Sequence, residues 1–233
     1  LNIANNTFST QTTGIYMQTN FNGLSVVINK NKFITNLKGV SFSDNPNVIA
    51  NIAENRFDNS SATVGNATNN AAITLAEPTV PSGNPTSYGN YTVYNNYIDK
   101  YYNGVISVNT YSTQMTDNEV HMQPDNTSGN FQMGIKVDGS RYANTINNTV
   151  DMTSLNTSNW WWQYGVFYAN AQAPFINCNI INNVGTSIKI QGPCNTLANT
   201  NEFVNNKMSN AVYGVWLDGG DFNQHQAYWV STT

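Results

Sequence analysis

Residues 28–33 read Ile28-Asn29-Lys30-Asn31-Lys32-Phe33, and residues 52–57 repeat the pattern as Ile52-Ala53-Glu54-Asn55-Arg56-Phe57. An apolar residue, two free positions, an asparagine, one free position and a larger apolar residue make up the unit. The same unit recurs as Ile3, Asn6, Phe8; Val93, Asn96, Ile98; Met115, Asn118, Val120; Thr145, Asn148, Val150; Ile176, Asn179, Ile181; and Ala198, Asn201, Phe203. Repeats at a fixed period are weighed before local propensity, because they define the architecture.

Successive asparagines lie about 22 to 25 residues apart, with longer gaps of about 30 and one of about 41. A second signature often follows eight residues after the asparagine: a small residue, an apolar one, a free one and another apolar one. It reads Gly14, Ile15, Met17; Gly39, Val40, Phe42; Ala72, Ile73, Leu75; Gly104, Val105; Gly134, Ile135, Val137; Gly165, Val166, Tyr168; Ser187, Ile188, Ile190; and Gly214, Val215, Leu217. Alternation of apolar and free positions is the strand period, one face inward and one outward. Short strands joined by bends at this period predict an all-β chain, a right-handed parallel β-helix (solenoid) of about eight coils. An inward amide is costly unless paired. A ladder of stacked asparagines, as in cross-β assemblies, is therefore expected at Asn6, Asn31, Asn55, Asn96, Asn118, Asn148, Asn179 and Asn201. The small residue of the second signature suits a bend with positive φ.

Composition excludes several classes. Charged residues make up 9% of the chain and the net charge is -4, so no basic stripe is present to bind nucleic acid. No run of about twenty apolar residues is present to insert in a membrane. Cys178 and Cys194 read as small buried side chains or as a disulfide between neighbouring coils, and two thiols without nearby histidines do not make a zinc site. Residues 1–233 read as one β-helix domain, a piece of a longer protein whose other domains are expected neighbours, with loop insertions near 58–70, 76–90, 122–133 and 152–163.

The repeat resembles the single-stranded right-handed parallel β-helix superfamily, the pectate-lyase-like fold, over essentially the whole chain. The asparagine-rich, charge-poor style is similar to repeat regions of large secreted or cell-surface proteins of Bacteroidetes-type bacteria. The resemblance implies the scaffold but not its chemistry. Arg56 and Arg141 stand outside any lyase-type Arg-x-Pro-x-x-Arg stretch, no Asp-Asp pair is present, and neither His121 nor His225 is flanked by glycine.

No catalytic set, metal site or cofactor site is therefore expected. Asp138 and Asp218 are the most suggestive acidic pair, but three coils separate them by about 14 Å, beyond the roughly 5–9.5 Å that glycoside hydrolysis needs; beside glycines they read as turn residues accepting backbone hydrogen bonds. Asp117, Glu119 and His121 alternate as one outward strand row. The insertions 122–133 and 152–163 follow consecutive asparagine bends at nearly the same phase, so both are expected on one side. The second carries Trp160, Trp161 and Trp162, followed by Tyr164, which cannot all face one core and form the candidate ligand-binding group. Tyr16, Phe167, Trp216, Lys136 and Lys189 share the outward column of the second signature. These features predict a non-enzymatic secreted or cell-surface module, a rigid spacer with an adhesive side for a polysaccharide or surface protein. The alternative is a polysaccharide lyase or glycoside hydrolase with its site among the side loops.

Overall fold

The computed structural model describes residues 1–18, 23–44, 48–59, 70–78, 89–124, 131–153, 160–172, 174–192, 194 and 202–219. Within them the chain is a parallel β-helix. Its strands form three sheets of eight, here A, B and C, and each coil contributes one strand to each sheet in that order. The fifth coil, for example, runs through Ser112–Thr116 in A, Glu119–Met122 in B and Gln132–Asp138 in C. Every strand of the second to seventh coils pairs in parallel with the corresponding strand one coil before and after, as Met115 does with Val93 and Thr145. One coil has no partner for its apolar face, so the core exists only through stacking.

The apolar residues of the repeat fill that core. Ile28, Ile52, Val93, Met115 and Ile176 point inward from sheet A, and Phe33, Phe57, Ile98, Val120, Val150 and Ile181 from sheet B. Phe8, Phe33 and Phe57 stack ring on ring at 5.1 and 4.6 Å. Between sheets A and B the chain turns through one left-handed residue in every coil: Asn5, Lys30, Glu54, Asn95, Asp117, Asn147, Cys178 and Asn205, with φ of 51° to 58°. This backbone is costly for residues other than glycine. The stack compensates with a hydrogen bond from each of the first seven bends to the next coil, as from Lys30 N–H to the Ala53 carbonyl and from Asp117 N–H to that of Ile146.

The ladder asparagine follows that residue. The Oδ1 of Asn118 accepts the backbone N–H of Asn96 at 3.1 Å and its side-chain amide at 3.0 Å, and Asn118 Nδ2 donates back to the Val93 carbonyl at 2.9 Å. The same three bonds recur from Asn6 and Asn31 up to Asn179. The eighth rung is Asn206 rather than Asn201. Phe203 pairs with Ile176 in sheet A and Met208 with Ile181 in sheet B, which brings Asn206 Oδ1 to 3.0 Å from Asn179 N. Ala198 and Asn201 lie outside the described residues.

Two further expectations are corrected. The glycines of the second signature are not left-handed; the positive-φ glycines are Gly23, Gly139, Gly192 and Gly219. Their smallness answers a packing demand instead, because a Cβ on Gly134 would stand 2.2 Å from Val150 Cγ1 and one on Gly165 2.3 Å from Ile181 Cγ2. Asp117 does not share a strand row with Glu119 and His121, since it occupies the left-handed bend, where its carboxylate accepts the Asn147 amide. Cys178, exposed, and Cys194, buried, are both free thiols. The interiors of the four insertions, 60–69, 79–88, 125–130 and 154–159, lie outside the described residues.

Candidate functional site

The outer face of sheet C over coils five to eight gathers most of the unusual side chains. Register places Lys136, Phe167, Lys189 and Trp216 in one outward column, one residue per coil. Asp138, Ala169, Gln191 and Asp218 form the adjacent column. Columns follow from the strand period of two, since alternate residues of every stacked strand leave the sheet on the same side. Asp138 and Asp218 thus stand three coils apart, about 14 Å. Among the described residues no backbone N–H donates to either carboxylate. Each pairs with a lysine, Lys136 Nζ to Asp138 Oδ2 and Lys189 Nζ to Asp218 Oδ2, both at 3.1 Å.

Aromatic residues wall this face. Trp160–Trp162 form a single 3-10 turn leading into the strand Gln163–Ala169. Trp160 stacks on Trp161 at 3.7 Å and meets Tyr213 edge-on, while Trp162 meets Phe131 edge-on at 4.7 Å. That last contact joins the described ends of the two same-side insertions. Gly185 makes room for the turn, because a Cβ there would lie 1.9 Å from the Trp160 carbonyl oxygen. Of the candidate group Trp161 is the exposed member, at 51%, whereas Tyr164 is buried. The Tyr164 hydroxyl donates to the Trp161 carbonyl at 2.7 Å, and burial, reinforced by the Asp218 charge, pushes its pKa up to about 12. Tyr164 therefore serves as a neutral strut under the tryptophans. Lys189 is enclosed by Tyr164, Phe167 and Trp216, with Nζ 4.1 Å from the Trp216 ring centre, a cation–π geometry.

Beside these aromatics lies an open groove of about 460 Å³ whose lining includes Phe131, Lys136, Asp138, Phe167, Asn170, Lys189 and Gln191 but none of Trp160, Trp161, Trp162 and Tyr164; Trp161 borders a separate recess with Tyr213 and Trp216. That volume falls in the range of small-molecule sites. Comparison with protein families, with curated proteins and with solved structures gave no match. Chemically, the groove offers ring faces beside donors and acceptors: Phe131, half-exposed, together with the Lys136–Asp138 pair and the amides of Asn170 and Gln191. Phe131 and Asn170 carry no motif. Their only sequence signal is position, Phe131 directly ahead of a sheet C strand and Asn170 directly after one.

His121 and Glu119 form a different arrangement on the outer face of sheet B. His121 Nδ1 lies 2.6 Å from Asp151 Oδ1 and Nε2 lies 2.7 Å from Glu119 Oε1. Hydrogen bonding to Asp151, the largest cause, and to Glu119 outweighs desolvation and pushes the imidazole pKa up to about 9. The ring is therefore a cation at neutral pH with both nitrogens donating. So paired, the ring ties the fifth coil to the sixth. Among the described residues no group of three or more His, Cys, Asp or Glu side chains is placed to hold a metal ion.

Proposed function

We propose that this β-helix is a non-enzymatic module of a secreted or cell-surface protein, a rigid spacer that binds carbohydrate along the outer face of sheet C. The observation that carries the reading is the groove floored by Phe167 and walled by the half-exposed Phe131, with paired charges and amides along it. Sugars present C–H faces that stack on aromatic rings and hydroxyls that take hydrogen bonds from ionised and amide side chains. The stacked strands carry these groups on a rigid sheet, which keeps the ordering cost of binding low. The resemblance of the repeat to the pectate-lyase-like superfamily points to the same ligand class.

The test is a glycan-array screen of the whole chain beside Phe131→Ala and Trp161→Ala, each checked for an unchanged circular dichroism spectrum. Wild-type binding is expected to fall about tenfold or more in Phe131→Ala, the range of a lost aromatic anchor. Absence of wild-type binding to every glycan would leave a spacer alone. Release of reducing or unsaturated ends from a bound polysaccharide would replace the reading by that of a hydrolase or lyase.

A further inference from the structure

The charges of the groove narrow its ligand. Two lysines and two aspartates lie on this face, and each lysine is matched by its own carboxylate at 3.1 Å. Lys189 also lines the groove, but it is packed among three aromatic rings with 7% of its side chain exposed against 23% for Lys136, so less of it is presented to a ligand. Lys136 is the more accessible cation of the groove, and Asp138 stands beside it. An acidic sugar entering there would bring its carboxylate against Asp138 and would have to break an existing pair to reach Lys136. The chain as a whole carries -4, so its long-range field also disfavours polyanions.

Resting on the carbohydrate reading above, we infer that the groove selects an uncharged polysaccharide segment lying along the solenoid axis, with Lys136 and Asp138 as the specificity-determining pair. Lys136 offers only donors and Asp138 only acceptors, and a sugar hydroxyl acts as both. One hydroxyl can therefore bridge the two without displacing either from its partner. Asn170 Nδ2 lies 3.5 Å from Asp138 Oδ1, which sets a further donor beside the pair. Gly192 leaves the space that Asn170 needs, since a Cβ there would stand 2.5 Å from Asn170 Oδ1. The lining residues come from columns that run coil to coil, so a chain laid along the axis would meet them in succession.

The experiment is titration calorimetry of the full chain against a panel of neutral hexasaccharides (gluco-, xylo- and manno-configured) and against polygalacturonate and alginate. Each is measured at about 20 and about 200 mM NaCl, between which the screening length falls about threefold. Wild type is expected to bind a neutral oligosaccharide with less than about a twofold change with salt, and to ignore the uronates, as expected where no net charge is matched across the interface. Asp138→Asn removes the acidic guard at nearly constant shape. It should lose about tenfold in neutral binding and gain uronate binding that weakens with salt, the signature of a newly unpaired cation. Wild-type preference for uronates with strong salt dependence would overturn the inference and leave the carbohydrate reading standing. Neutral binding unchanged in Asp138→Asn would remove the pair from the site. No binding to any sugar would overturn both readings.

Discussion

Asn118 holds three coils together through one side chain. Its Oδ1 accepts two donors of Asn96, and its own amide donates to the carbonyls of Val93 and Thr116 and to Asn148 Oδ1. All of this lies in a buried bend, where water does not replace a lost partner. Asn118→Ala strands the Asn96 N–H and the Val93 carbonyl together, and each buried orphan costs about 1–3 kcal/mol. A loss of about 2–4 kcal/mol in urea unfolding is expected. Asn6, exposed in the first coil, donates to Asn31 and Ala4 but stands under no earlier asparagine among the described residues. Asn6→Ala should cost about 1 kcal/mol or less, the net worth of an ordinary exposed hydrogen bond. Equal losses for the two variants would mean that the ladder does not stabilise through satisfaction of the buried bends.

At the scale of the element, the glycines near the start of the sheet C strands from Gly14 to Gly165 sit directly against atoms of the next coil. A Cβ on Gly165 would lie 2.3 Å from Ile181 Cγ2 and 2.7 Å from the Ser187 carbonyl, whereas on Gly214 the nearest atom is Met208 Sδ at 3.9 Å. Gly165→Ala should therefore destabilise by about 1–3 kcal/mol through overpacking. Gly214→Ala should be neutral or gain up to about 1 kcal/mol from the reduced freedom of the unfolded chain. Thermal unfolding of the two variants separates packing from a conformational role, since a need for positive φ would make both destabilising. Strand-level features of this kind were only partly legible in the sequence. Seven ladder rungs were, because Ile-x-x-Asn-x-Phe and its variants keep one register. The eighth was displaced by five residues, since Asn199, Asn201, Asn205 and Asn206 crowd one stretch and only pairing with Ile176 and Ile181 distinguishes them. The outward column of Lys136, Phe167, Lys189 and Trp216 was legible from period two. The lysine–aspartate pairs and the place of Phe131 were not, because they depend on side-chain reach and on how two long insertions return to the sheet.

The whole molecule is a stack in which a coil is both the unit of pairing and the unit of length. Residues 25–48 make up one complete coil, with strands Ser25–Asn29, Lys32–Ile34 and Lys38–Ser43. Ile49 pairs with Ser25, Ile52 with Ile28 and Phe57 with Phe33, so the third coil can take the register of the second against the first. Deleting 25–48 joins Leu24 to Ile49 and presents Phe57 and Asn55 to the first coil in place of Phe33 and Asn31. The sheet C glycine also fits: the Gly14 Cβ position that now meets Phe33 would meet Phe57, as that of Gly39 does. Since stability in such arrays is close to a sum over coils and their interfaces, the shortened chain should stay folded. Its urea m-value should be lower by about one-tenth, in proportion to the surface exposed on unfolding. Removing only residues 25–36 leaves a sheet C strand where a sheet A strand is needed and should abolish cooperative unfolding. The groove over coils five to seven shares no residue with the deleted coil, so glycan affinity should be retained in the one-coil deletion. Loss of cooperative folding in that variant would show that the coils are not interchangeable, and loss of affinity with folding intact would tie the groove to the first half of the solenoid.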